Sequence, residues 1–155
     1  MPAALVLPTP QSLSERIGQE LAVTDWFEVT QERIQRFAEA IEDRQWIHLD
    51  RERAQRESPY RTTVAHGFLT LSLLSYLMKQ AVQITDGVRL SINYGLNHVR
   101  FPAPVPAGAK IRARFSVKST KNLADALEAV YLVTVEVQGG DKPCCVAEWI
   151  GRYYR

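Results

Sequence analysis

The sequence predicts an α+β domain in which one long buried helix is held by a curved antiparallel sheet. The first observation is the run at residues 65–82, which is apolar on nearly every side and carries no Asp, Glu, Lys or Arg between Thr62 and Met78. A helix that is hydrophobic all round is usually a buried one. The second observation is a change of period from 3.6 to 2 after Thr85-Asp86-Gly87. Short turns between the resulting strands favour antiparallel pairing.

Composition and charge predict the class of protein. A chain of 155 residues is most simply one domain, 1–155, with a core of its own. Residues 1–14 hold three prolines and no basic start, which predicts a loose N-terminal arm rather than a signal peptide. Nineteen basic against seventeen acidic residues give no bulk support for a nucleic-acid partner. The apolar run is too short for a confident membrane span, which needs about 20 residues.

The two cysteines, Cys144 and Cys145, are adjacent and cannot staple distant segments. Without a secretion signal, they favour reduced thiols and a cytoplasmic protein. Successive side chains of a strand point to opposite faces, so at least one of the two thiols is expected in the core.

The first half of the chain predicts one strand and two helices. Residues 21–29 alternate loosely and suit an opening strand. Thr30 is a typical N-cap, and apolar residues at helical spacing continue to about residue 41. Asp50 is placed to cap a short second helix that runs to about residue 56. Ser58-Pro59 ends it, because the residue before a proline is pushed out of the helical region.

The second half predicts four strands. Residues 88–101 alternate in polarity but change phase near Asn97 and His98, which predicts a bulge or a strand switch there. After a proline-rich connection, residues 110–118 alternate cleanly between apolar and charged side chains, as in a strand with one buried face. Residues 127–137 form the third long strand, and the turn at 139–143 leads into a fourth at 145–154.

Asp43 and His48 form the sharpest polar constellation. They lie where the first helix ends and a loop begins, so both side chains can converge on one point, which a regular helix would not allow. A carboxylate beside an imidazole can hold a water molecule and move its proton near neutral pH. A structural interpretation stays open, in which Asp43 caps a helix terminus or loop amide and His48 is a surface side chain.

Three segments resemble the MaoC-like hydratases, the (R)-specific enoyl-CoA hydratase family, and within it the branch with the NodN-like proteins. They are FAEAIEDRQWIHLDRERA, VAHGFLTLSLLSYL and INYGLNHVRFPAPVPAG, and the resemblance runs from residue 26 to the C-terminus. The family signature is an aromatic residue, then G-D-x-N-P-(aliphatic)-H, then a small residue. The chain matches it at Phe37, Asp43, Ile47, His48 and Ala54. It departs from it at Glu42 for glycine, Gln45 for asparagine and Trp46 for proline.

The resemblance implies a hot-dog fold with its central helix at residues 67–82, a homodimer, and a role in fatty acid metabolism. Asp43 and His48 match the catalytic pair that binds the water added across a trans-2-enoyl thioester. Gly67 matches the glycine whose backbone N–H receives the thioester carbonyl, which suits the positive end of a helix dipole. The expected substrate is an acyl-CoA, or an acyl carrier protein thioester, and no cofactor is expected because CoA is part of the substrate.

Further pocket candidates have ordinary structural alternatives. The pocket residues implied are Gln45, His66, Ser75 and Asn93. His66 is better suited to anchoring the loop by hydrogen bonds, and Ser75 could bond back to the carbonyl four residues earlier. Asn93, Asn97 and Arg100 could line the pocket, but turn-forming and loop-bracing roles suit them better. The row Lys110, Arg112, Arg114 and Lys118 could attract CoA phosphates, although such a row is usually a solvated strand face.

Two other functions compete with hydration. Hot-dog folds also carry thioesterases and fatty-acid dehydratases, many of which place a catalytic carboxylate on the central helix, and residues 67–78 contain none. A non-catalytic acyl-thioester-binding module would not need the Asp43–His48 couple. No metal site is expected, because His48, His66 and His98 share no ligand spacing.

Overall fold

A computed structural model describes residues 3–155, and Met1 and Pro2 lie outside the described residues. These described residues form four helices and eight strands, with a short 3-10 helix at Pro10–Arg16. The strands are β1 Leu5–Leu7, β2 Glu20–Val23, β3 Phe27–Glu28, β4 Val82–Ile84, β5 Leu90–Arg100, β6 Lys110–Asn122, β7 Ala126–Val137 and β8 Cys145–Tyr154. The helices are α1 Gln31–Ile41, α2 Trp46–Leu49, α3 Arg51–Glu57 and α4 Gly67–Ala81.

The main sheet has the strand order β2-β6-β7-β8-β5, and β3 continues the pairing of β2 along β6. All of its pairs are antiparallel, as predicted. A second, two-stranded sheet pairs β1 with β4 in parallel. The architecture is α+β and confirms the predicted hot-dog arrangement, in which the sheet curves around α4.

The core lies between α4 and the inner face of this sheet. Leu69, Leu74 and Leu77 of the helix are at most 4% exposed, and they join buried side chains from β6, β7 and β8 such as Phe115 and Tyr131. Each strand supplies alternate residues to this core because successive side chains of a strand point to opposite faces.

The expectation that α4 is covered on nearly every side is wrong for one face. Phe68 is 65% exposed and Tyr76 is 46% exposed. Each meets one aromatic ring of the same chain, Phe68 that of Phe101 and Tyr76 that of Phe27 on β3, but these contacts leave much of both side chains uncovered. The apolar pattern of the sequence therefore includes residues of α4 that the protomer itself does not cover.

The predicted loose arm at residues 1–14 is also wrong over the part that the structure describes. Residues 5–7 form β1, and Leu7 and Leu13 are at most 1% exposed. Thr85 and Asp86 donate backbone hydrogen bonds to the Leu7 and Pro8 carbonyls. Proline does not prevent order here, since Pro10 occupies the start of the 3-10 helix, where its missing N–H is not needed.

Local signals set most element boundaries correctly. Arg33 N–H donates to the Thr30 hydroxyl at 3.2 Å, and Arg53 N–H donates to the Asp50 carboxylate at 2.9 Å, so both predicted caps are confirmed. The opening strand is instead split into β2 and β3. The predicted irregularity of β5 is confirmed between Leu96 and His98, and a second occurs between residues 93 and 95. No helix within residues 3–155 is long and apolar enough to cross a membrane.

Strand β5 is an edge strand with an unusual surface. It pairs only with β8 among residues 3–155, so its other edge has no partner strand. Edge strands are normally protected by charges, prolines or short length. This one is 11 residues long, and it exposes four large apolar side chains by 41–51%: Leu90, Ile92, Tyr94 and Leu96.

Candidate active site

The loop that carries Asp43 begins at a residue with left-handed backbone geometry. Glu42 follows the end of α1 with φ 61° and acts as its C-terminal cap. Glycine adopts this geometry without steric strain, and glycine is the residue of the family signature at this position. Glu42 therefore keeps the turn although it has a side chain, and its carboxylate pairs with the Arg44 guanidinium.

His48 is held at both its ring and its backbone. Its Nδ1 lies 2.7 Å from the carbonyl oxygen of Val64, and a carbonyl can only accept, so Nδ1 carries the proton. Its own carbonyl accepts a hydrogen bond of 2.7 Å from the Gln31 side chain, and its N–H donates to the Gln45 carbonyl. The residue is only 7% exposed. In a neutral ring held this way, Nε2 offers a lone pair.

The pKa of His48 is lowered from its usual 6.5, chiefly because burial disfavours the charged ring. The nearby His66 lowers this pKa further, whereas the hydrogen bond to Val64 and the Asp43 carboxylate raise it. The balance favours the neutral base near pH 7. This matters because a protonated His48 could not accept a proton from water.

Asp43 lies beside His48 and is more open to solvent. Its side chain is 50% exposed, and Oδ1 accepts a long hydrogen bond of 3.4 Å from the Gln45 N–H. Asp43, His48 and His66 each bring one polar atom to within 4.8 Å of the others. A single water molecule about 2.8 Å from each partner can bridge such a gap. The surface interpretation of His48 is therefore excluded by its burial, and the side chains converge as expected.

His66 contacts both members of the pair. Its ring stacks on the His48 ring with 3.6 Å between centroids and 22° between planes. Its Nε2 donates to the Asp43 carbonyl at 3.0 Å and lies 3.9 Å from Oδ2 of the same residue. The Phe37 ring meets its edge at 5.2 Å. The expected anchoring by hydrogen bond is confirmed, and the stacking is an addition that the sequence did not indicate.

Gly67 opens α4 beside this cluster. His66 occupies the N-cap position without a side-chain capping bond, so the first N–H groups of the helix stay available to a ligand. These groups form the positive end of the helix dipole. A cavity of about 240 Å³ is lined by His48, Gly67 and Thr70 together with Tyr60 and Phe101. A ligand in this cavity would meet both the imidazole and the helix N-terminus.

Gly67 also has a purely structural reason to be glycine. A Cβ at this position would lie 2.9 Å from two atoms of the Phe101 ring, closer than real Cβ contacts. Phe101 itself contacts Phe68 at 6.2 Å between centroids. The glycine therefore lets an aromatic ring lie on the start of the helix, whatever its role toward a substrate.

The remaining pocket candidates lie in different places. Asn93 donates a hydrogen bond of 3.0 Å to the Ser75 hydroxyl, and both residues line a cavity two helical turns beyond Gly67. Ser75 therefore does not bond back along the helix; Ser72 does, to the Phe68 carbonyl. Gln45 makes backbone hydrogen bonds to Asp43 and His48, and its side chain makes no capping bond at the start of α2.

The other two strand residues have bracing contacts. Asn97 donates to the Glu148 carboxylate, and Arg100 donates to the Val99 carbonyl. The bracing interpretation is thus the observed one for both.

The basic row on β6 does not present free cations to a phosphate. Arg112 and Arg114 donate to the same Glu136 carboxylate at 2.5 and 2.7 Å, and Lys118 pairs with Glu148. The two arginines lower the pKa of Glu136 by hydrogen bonding. The interpretation of the row as a phosphate site is therefore not supported, because three of its four basic side chains already pair with carboxylates on other strands.

Histidine spacing did not reveal that His48 and His66 meet, since they are 18 positions apart. The cluster with Asp43 is compact enough to be considered as a metal site. However, Nε2 of His66 already donates to the Asp43 carbonyl and Nδ1 of His48 to the Val64 carbonyl. The hydrogen bonds therefore fit an acid–base site better than a set of three free ligands.

Two positioning residues escaped the sequence reasoning. Gln31 donates to the His48 carbonyl and accepts a hydrogen bond of 2.5 Å from the buried Thr63 hydroxyl. These partners are 17 and 32 positions apart, so no local pattern indicates them. The two cysteines are both buried, and burial raises the pKa of Cys144 to about 12 and of Cys145 to about 11, so neither is a ready nucleophile.

The comparisons with known proteins agree with this geometry. The family model for the MaoC like domain matches residues 12–138. The 3-hydroxyacyl-thioester dehydratase Z of Mycobacterium tuberculosis is 49% identical over 142 residues, which cover 91% of this chain and 93% of that protein. Nodulation protein N of Rhizobium leguminosarum is 43% identical over 136 residues, which cover 87% of this chain and 84% of that protein.

A solved structure supports the same assignment. The (R)-hydratase from A. caviae, involved in PHA biosynthesis, superimposes with a TM-score of 0.66 at 25% identity, covering 86% of this chain and 98% of that one. Its fold agrees with the family match. The chain therefore belongs to the MaoC-like dehydratase family, in the branch with the NodN-like proteins.

Proposed function

We propose that this hydro-lyase adds water reversibly to a short trans-2-enoyl-CoA and gives the (R)-3-hydroxyacyl-CoA. The observation that carries the proposal is the pair of Asp43 and His48, within reach of one water molecule and beside the uncapped N-terminus of α4. The name of the 49% identical relative, a 3-hydroxyacyl-thioester dehydratase, supports the same reaction in the reverse direction.

Each step of the reaction has a group for it. Asp43 and Nε2 of His48 hold the water, and Nε2 takes one of its protons as the oxygen bonds to the β-carbon. The electron pair of the double bond moves toward the α-carbon and the thioester oxygen, where the Gly67 N–H stabilises the enolate charge. The α-carbon then takes a proton from the pair, so that one water is added overall and no electron is gained or lost.

Space for an acyl chain follows the same helix. Beyond the cavity at Gly67, a second of about 210 Å³ and a third of about 510 Å³ lie between α4 and β5. These two share Ser75, Asn93 and Trp149 in their walls. Eight residues separate Gly67 from Ser75, about 12 Å along a helix. We place the acyl chain in this groove, with its thioester at Gly67.

The surface of the protomer supports the homodimer implied by the resemblance. The free edge of β5 and the outer face of α4 are both apolar, and large exposed apolar surfaces mark contacts with other chains. In our proposal two copies pair at β5 and cover these surfaces. The two free buried thiols fit action in the reducing cytoplasm.

One assay with purified protein tests the reaction. Crotonyl-CoA absorbance and thiol release are followed together, with Asp43→Asn as the control for contaminating hydratase. We expect the absorbance to fall without free CoA, and the product to resist an (S)-specific 3-hydroxyacyl-CoA dehydrogenase. Thiol release equal to substrate loss would make the protein a thioesterase, and rapid oxidation by the (S)-specific enzyme would overturn the stereochemistry. Activity only with a carrier-protein thioester would overturn the assignment to CoA.

A further inference from the structure

His66 has more contacts than an anchor needs. Its ring covers one face of His48, its Nε2–H holds the Asp43 carbonyl, and only 4% of the residue is exposed. Its Nδ1 is buried and has no hydrogen-bond partner among residues 3–155. His66 therefore contacts both Asp43 and His48. Asp43 belongs to the loop after α1 and His48 to α2, whereas His66 lies at the start of α4.

We infer that His66 is a positioning residue that aligns Asp43 with His48 and keeps His48 neutral by stacking on it. The expected effects on kcat and KM rest on the proposed function, whereas the expected effect on the protonation of His48 does not. The tether to the Asp43 carbonyl sets where that residue's carboxylate lies. The stacked ring excludes water from one face of His48 and places a second ionisable ring 3.6 Å away.

The electrostatic part follows from the distance. Two like charges at this separation repel strongly where water is excluded, so the two stacked rings are not both positively charged. The other groups around His48 are few. Asp43 from the loop after α1 favours the charged ring, while Tyr60 and Cys144, which line the same cavity, are ordinarily uncharged near pH 7. Of these neighbours, His66 is the one whose charge would lower the pKa of His48.

Two substitutions separate the two parts of the inference. His66→Gln keeps an N–H that can reach the Asp43 carbonyl but removes the ring. His66→Phe keeps a stacked ring but removes both the N–H and the second proton site. The titration of His48 is followed by NMR of the imidazole C–H signals, which are few because the chain has three histidines, and His98→Gln assigns the third.

We expect the midpoint of His48 to move to higher pH in both variants, and the acid limb of kcat/KM to move by the same amount. His66→Phe loses roughly tenfold or more in kcat with little change in KM, because Asp43 is misplaced. His66→Gln loses clearly less kcat, because its side-chain N–H can still hold the Asp43 carbonyl. Equal losses in both variants with an unmoved His48 midpoint would overturn the inference and leave His66 a merely structural residue.

The two proposals can fail separately. If the wild-type protein hydrates no enoyl thioester, the proposed function fails, while the NMR titration still decides whether His66 controls the protonation of His48. If hydration is found but neither the midpoint nor the pH limb moves, only the inference on His66 fails. A variant that does not fold is recognised by its collapsed NMR dispersion, and the other variant then carries the titration test.

Discussion

At the scale of single residues, the candidate site combines one rigid imidazole with one solvent-facing carboxylate. His48 is buried and fixed by the Val64 and Gln31 hydrogen bonds, whereas the Asp43 side chain is half exposed. The difference suits a pair in which the imidazole keeps its tautomer and the carboxylate meets an entering water. Neither side chain could exchange roles with the other without losing this asymmetry.

Asp43→Asn and His48→Ala should each abolish most hydration, because one water needs both partners. The double variant should be little worse than either single one, since groups that act as a unit are not additive in their free energies. Steady-state kinetics with crotonyl-CoA measure this, with circular dichroism as the check on folding. Two small and additive losses would mean that the pair is structural.

Gly67 offers a way to separate packing from catalysis. Gly67→Ala should lower both the melting temperature and the activity, because its Cβ meets the Phe101 ring. Adding Phe101→Leu removes that ring, so the melting temperature should recover while the activity, compared with Phe101→Leu alone, should not. Recovery of both the melting temperature and the activity would show that Gly67 only makes room for the Phe101 ring and does not act on a substrate.

Glu42 tests whether backbone geometry is what the site needs from this position. Glu42→Gly should leave activity unchanged and alter the free energy of unfolding by no more than about 1 kcal/mol, because glycine adopts positive φ freely. Glu42→Val should be clearly less stable, since a β-branched residue opposes left-handed geometry at about 1–2 kcal/mol or more. Chemical denaturation compares the two, and equal stability of both variants would contradict the expectation.

At the scale of elements, α4 unites the core and the site. Its inner face packs leucines against the sheet, and its first residue, Gly67, lines the same cavity as His48. The packing of this helix therefore fixes the position of the site, because any shift of the helix axis moves Gly67 relative to His48.

Leu74→Ala should lower the free energy of unfolding by about 2–5 kcal/mol, as other large-to-small core substitutions do. Leu74 is 2% exposed and lies in the middle of the helix. Gln80→Ala, an exposed position of the same helix, is the matched control and should be nearly neutral. A neutral Leu74→Ala would be incompatible with a helix enclosed by the sheet.

The elements differ in how well the sequence predicts them. Thr30, Asp50 and the Ser58-Pro59 pair act within a few residues, so the helix boundaries follow from local chemistry. Strands β1 and β4 pair across 77 positions, from Leu5 to Val82, and no local pattern indicates such a partner. The same holds at the site, where Asp43 and His48 are visible in one loop but the stack on His66 and the Gln31 bond depend on long-range packing.

At the scale of the whole molecule, the exposed apolar side chains of β5 are central to the proposed dimer. Ile92→Glu on β5 should yield a monomer that loses activity, because a charge at the free edge prevents pairing of two copies. Leu132→Glu is the matched control, since Leu132 is similarly exposed, at 45% against 41%, but belongs to the interior strand β7. Analytical ultracentrifugation measures the outcome, and a monomeric wild-type protein would contradict the proposed dimer.

Strand β8 is synthesised after the other strands described above, yet it lies inside the sheet between β7 and β5. Until it is made, β5 has no partner within the main sheet, and its apolar side chains are open to other chains. Synthesis proceeds at roughly 5–20 residues per second, so this exposure lasts for seconds. A chaperone that shields β5 during that time should raise the yield of folded protein, and a stop codon before Cys145 leaves β5 detached from the rest of the sheet.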